Sequence, residues 1–121
     1  MMRVRAHPDR GAATAELALG VPLLVALTAG LVWMLAVGAA QVRVVDASRE
    51  AARAVARGDD VAAAEAVALR IAPDRARVRI ELGDNQVVVT TSARVSAPGG
   101  LLASLPGVTV TADAVALEEG S

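Results

Sequence analysis

The sequence predicts a membrane-anchored α+β protein, with a long N-terminal helix that crosses the membrane and extends outside it, a short second helix, and a three-stranded antiparallel sheet packed on the long helix. Three observations carry this reading. No charge occurs between residues 17 and 40, a run longer than the roughly 20 apolar residues a helix needs to cross a bilayer. No Gly or Pro interrupts the chain between Ala39 and Arg57, so the helix continues past the apolar run. Beyond Pro73 the spacing of apolar residues changes from about 3.6 to about 2, the mark of strands. The chain therefore divides into a leader (1–11), a transmembrane helix (12–40), an extramembrane continuation of that helix (41–58) and a small α+β C-terminal domain (59–121).

Composition narrows the function classes. Hydrophobic residues make up 55% of the 121 positions, and mean hydropathy is +0.50. Yet Phe and Tyr are absent and Trp occurs once, so a core must be built of Val, Leu, Ile and Ala. A net charge of -1 lacks the basic surplus of a nucleic-acid binder. The absence of Cys removes disulfide frameworks and thiol chemistry, and the single histidine, His7, stands in the leader, so no Ser/His/Asp triad or histidine metal cluster can be assembled. The chain is expected to be no enzyme and to bind no cofactor, metal, nucleic acid or small-molecule substrate.

In the leader, Arg3, Arg5 and Arg10 stand against Asp9, and Pro8 and Gly11 make the segment a poor helix former, suited to a cytoplasmic flank. Beyond the span, Arg43, Arg49, Arg53 and Arg57 stand against Asp46 and Glu50, so both flanks carry +2. Positive charge therefore does not set the orientation. The short leader and larger distal domain favour a cytoplasmic N-terminus, with the C-terminal domain outside. Within the span, Pro22 leaves the Ala18 carbonyl without its usual donor, which a membrane helix tolerates. Ala26, Gly30 and Gly38 fall at spacings of four and eight on one stripe, where another helix could approach. Small residues are also simply abundant in this chain. Trp33 lies inside the apolar run and reads as packing or lipid-facing bulk.

Three fates fit this segment. A signal peptidase could cut after Ala40 and release a small secreted binding domain, although the apolar run is long for a signal peptide. The span could stay uncut as a plain anchor. The third fate starts from GAATAEL (11–17), where a glycine closes a basic leader and Glu16 stands five residues later. That arrangement resembles the processing site of type IV prepilins, and QVRVVDASREAARAVARGD (41–59) resembles the juxtamembrane segment of the TadE family of minor pilins in tight-adherence (Flp) pilus systems. The resemblance implies a structural subunit, a minor pilin or pseudopilin, cut after Gly11 by a prepilin peptidase. Its partners would be the membrane, other pilin-type subunits and the pilus assembly machinery. Gly11, Ala12 and Glu16 would then be the cut, the new amine and its acidic partner.

An acid near a helix N-terminus gains typically about 0.3 to 1 kcal/mol from the dipole, which alone accounts for Glu16. In hydrocarbon an unpaired carboxylate is expensive. After cleavage, the Ala12 α-amino group carries a positive charge near neutral pH and is its natural partner. The resemblance implies that the pair forms between subunits.

In the continuation, Arg43, Asp46, Glu50, Arg53 and Arg57 share one face, a solvated one, and Val44, Ala47, Ser48, Ala51, Ala54 and Val55 the other. Arg43 with Asp46, and Glu50 with Arg53, are opposite-charge pairs three apart. Gly58 ends the helix, and Asp59 or Asp60 caps a second one from Val61 that Pro73 stops. Val78, Ile80 and Leu82 alternate with Arg77, Arg79 and Glu81 in a first strand. A turn at Gly83, Asp84 and Asn85 leads to a second strand, 86–96, and a third runs from Val108 to about Ala116. Leu101, Leu102 and Leu105 are expected to fold back on the sheet, and Glu118 to Ser121 to fray. So small a domain without large aromatics needs the long helix as its second layer.

Overall fold

The computed structural model describes residues 6–97 and 106–118, with side chains from Gly11 onward. Helix α1 runs Ala6–Ala56, α2 Val61–Ile71, and strands β1, β2 and β3 run Arg77–Gly83, Gln86–Val95 and Val108–Leu117. The α+β architecture is the one the sequence predicts. Leu101, Leu102 and Leu105 lie outside the described residues. The chain forms two compact units, Met1–Trp33 and Met34–Ser121.

In the first unit the backbone is helical from Ala6 onward, through Pro8, Gly11 and Pro22. From Ala6 the leader is helical, although its Pro and Gly suggested a poor helix former. Pro8 falls in the first turn of α1, where its missing N–H has no intrahelical acceptor to lose. Leu19, Leu23 and Leu24 expose 62% or more of their surface, and the stretch Gly11–Ala56 is long and apolar enough to cross a membrane. A Cβ added at Gly30 or Gly38 would meet nothing within 4 Å, so the small-residue stripe has no neighbour within the described chain.

In the second unit the end of α1 forms one layer and the sheet the other. Burial along the helix follows the expected faces: Val44, Ala47, Ser48, Ala51, Ala54 and Val55 are buried, and Arg43, Asp46, Arg53 and Arg57 are exposed. Glu50 and Arg53 pair at 3.8 Å; among the described residues the Arg43–Asp46 pair does not close. Gly58 terminates α1 with φ +103°. Its N–H donates to the Val55 carbonyl at 2.9 Å, and the Asp59 N–H donates to Ala54 at 3.0 Å. These two bonds make a Schellman motif, which needs a left-handed residue between them. Asp60 occupies the N-cap of α2 but its side chain makes no capping hydrogen bond, while the Asp59 carboxylate accepts one from Arg57 Nη2 at 3.4 Å.

The sheet is a meander of order β1-β2-β3, antiparallel throughout. Gly83 pairs with Gln86 across a turn in which Asn85 takes φ +58°, a conformation asparagine tolerates better than most residues. The alternating residues Val87, Val89, Thr91 and Ala93 of the central strand are buried toward α1. Around them Ala47, Ala51 and Val55 of α1 join Ala64 and Ala68 of α2 and its C-cap Ala72 in one cluster, and Ala40 and Val44 join Ala93 and Val110 in a second. Among the described residues the largest fully buried side chains are Val44, Val87, Val89, Thr91 and Ser48, so the core between helix and sheet is built of small residues. Glu118, assigned above to a fraying tail, instead donates its N–H to the Asn85 carbonyl at 2.9 Å, because β3 extends to Leu117 and pairs it with Gln86.

Candidate functional site

Gly11, Ala12 and Glu16 all lie on α1 and are all exposed. Ala12 and Glu16 are four residues apart, so they fall on one face of the helix about 6 Å apart along its axis. An amine created at Ala12 would therefore lie one turn from the carboxylate. Among the described residues Glu16 makes no ion pair within 4 Å, and a Cβ added at Gly11 would meet nothing within 4 Å. The three positions present an open helical surface, not a catalytic pocket. What such a surface offers is an exposed carboxylate and room for a second helix.

Residues 11–53 match the family model described as TadE-like protein. The chain is TadE-like over this stretch. The match begins at Gly11, takes in Ala12, Glu16 and the apolar run, and ends at Arg53, within the last turn of α1. The sheet lies outside it. No curated protein and no solved structure matches the chain. The TadE-like segment suggests a protein associated with Tad/Flp pili, and the apolar helix near the N-terminus fits membrane anchoring.

The sequence reading missed one constellation in the second unit. Ser48 on α1 and Thr91 on β2 are both fully buried, with Ser48 Oγ 2.7 Å from Thr91 Oγ1 and 3.0 Å from the Ala112 carbonyl oxygen. A carbonyl only accepts, and a serine hydroxyl has one proton. Ser48 therefore donates to Ala112 and accepts from Thr91. The helix, central strand and edge strand β3 are tied at one point, and both buried hydroxyls are satisfied. Its sequence signal was slight: a Ser among alanines on the apolar face of α1, and a Thr at an inward position of β2.

Proposed function

We propose that this chain is a structural, non-enzymatic subunit of minor-pilin or pseudopilin type in a Tad/Flp pilus or a related secretion apparatus. It would be cut after Gly11 by a prepilin peptidase and held in the membrane by its apolar helix. The observation that carries this reading is the TadE-like match, which starts at the glycine and takes in the acid, the apolar run and the charged continuation as far as Arg53. The glycine and the acid are substrate and assembly features. Once the leader is removed, the Ala12 amine offers Glu16 of a neighbouring subunit a charge partner that lowers the cost of a carboxylate in lipid.

The packing of α1 supports retention of the span over release by signal peptidase. Ala40 is 6% exposed and belongs to the cluster with Val44, Ala93 and Val110, with Val37 packed alongside. A cut before Gln41 would strip Val37 and Ala40 from the core of the unit they help to fold. An uncut anchor keeps that packing and is the second reading. Intact-mass and N-terminal analysis of the chain, expressed with a prepilin peptidase in a native membrane, separates these readings. A mature start at Ala12 is expected. A start at Gln41 would overturn the proposal, and a full-length product would leave the plain anchor.

A further inference from the structure

The end of the sheet that packs against Ala40 and Val44 carries a cationic recess. Its level on α1 is fixed by packing: Ala93 of β2 and Val110 of β3 cluster with Ala40 and Val44, the residues at which the uncharged run gives way to charge. The cross-strand pairs Ala93↔Val110, Arg94↔Thr109 and Arg77↔Ser92 lie at this same end of the sheet. Arg75, Arg77 and Arg94 are exposed there and, with Ser92 and Thr109, line a recess of about 350 Å³.

The arginines are exposed and, among the described residues, form no ion pair; Glu65 lines the adjoining recess with Arg77. Arg75 stands in a turn closed by the Ala76 N–H donating to the Pro73 carbonyl at 3.2 Å, with φ +61°, a left-handed conformation that costs a residue with a Cβ. Arg94 runs past Gly107, where an added Cβ would lie 2.9 Å from Arg94 Nε and 2.9 Å from the Val95 carbonyl oxygen. The Val95 carbonyl leaves no room for a Cβ at this position. Among the described residues no carboxylate lies within 4 Å of Arg75, Arg77 or Arg94. Asp74, exposed beside Arg75, offsets at most one of the three charges. The opposite end of the sheet is acidic, with Glu81, Asp84 and Glu118 near the β1–β2 turn.

We propose that this recess docks on anionic phospholipid headgroups at the membrane surface from which α1 emerges, resting the sheet on the bilayer by its cationic end. The inference rests on the membrane-anchored reading of α1. Arginine suits the role because its planar fork binds phosphate oxygens in pairs, and each cation near an anionic surface raises partition roughly five-fold at moderate salt.

The test uses the full chain in vesicles. Because the chain has no Cys, Thr109→Cys gives a single attachment point for a fluorophore at the recess. In phosphatidylcholine vesicles containing about 30% phosphatidylglycerol, headgroup-borne quenchers should reach the fluorophore several-fold more effectively than in pure phosphatidylcholine. Raising salt from about 50 mM to about 500 mM should reverse the difference. Arg75→Gln/Arg77→Gln/Arg94→Gln should abolish it, and the corresponding triple Lys variant should largely restore it. Equal quenching in both lipids, or a lipid response that survives the triple Gln variant, would overturn the proposal. The single Trp33 reports separately on the membrane reading. Acyl-chain quenchers should reach it in every vesicle and variant; if they do not, the span itself is refuted and the docking proposal falls with it. Unchanged hydrogen exchange in β2 identifies a triple variant that has kept its fold.

Discussion

Replacing Ser48 by Ala removes the hydrogen-bond acceptor of the fully buried Thr91 hydroxyl. Stranding a buried hydroxyl costs about 1 to 3 kcal/mol. Thr91→Val does less, because Ser48 keeps its bond to the Ala112 carbonyl at 3.0 Å and a methyl group fills the vacated space, for about 0.5 to 1.5 kcal/mol. In the double variant both hydroxyls are gone and no donor is stranded. The double variant should therefore cost less than the sum of the singles by about 1 to 2 kcal/mol, as expected for groups in one network. Hydrogen exchange of the β2 amides in the reconstituted full chain reads this directly, since about 1.4 kcal/mol is a ten-fold change in the opening equilibrium. Additive effects would refute the donor assignment, because they would mean that Thr91 does not depend on Ser48.

Other substitutions test other parts of the fold. Gly58→Ala forces a Cβ into φ +103° and should cost about 1 to 2 kcal/mol, read as lost protection of the Gly58 and Asp59 amides; Gly58→Asn should cost less. Ala51→Leu pushes a larger side chain into a fully buried site between α1 and the sheet and should destabilise this unit by about 1 to 3 kcal/mol, seen as faster exchange in β2 and α2. Glu16→Ala should leave insertion intact, judged by flotation at high salt, and reduce assembled material recovered from cells. Unchanged assembly would reduce Glu16 to a helix-end charge.

Much of the architecture was legible because the chain changes period cleanly. The alanine and valine positions of α1 repeat at helical spacing against a charged face, and the alternation in β1 marks a strand with one wet face. Gly58, Pro73 and Asn85 mark three of the boundaries by their backbone preferences. The helix over residues 6–11 was not legible, because Pro8 breaks a helix interior but not its first turn. The arginine recess was invisible for a different reason. Arg75, Arg77 and Arg94 are separated by up to nineteen positions, and only the β1–β2 register, with Arg77 opposite Ser92, brings them to one end of the sheet. The hydroxyl pair likewise depends on how the helix seats on β2, which no local pattern encodes. Gly11, Ala12 and Glu16 stood out through family resemblance, with helix-end electrostatics giving only a reason for the acid.

The continuity of α1 across Gly11 and Ala12 has a kinetic consequence. Both residues lie beyond the first turn, so in a regular helix the peptide between them has its N–H and its carbonyl engaged in the ladder. A protease needs an extended bond, and this one becomes extended only when the helix end opens. If that bond is the one processed, the rate of maturation is the intrinsic cleavage rate multiplied by the fraction of chains frayed past Ala12. Gly11, whose helix propensity is about 1 kcal/mol below that of alanine, raises that fraction roughly five-fold. Under such processing the glycine would serve timing as well as recognition, at a helix end that opens readily.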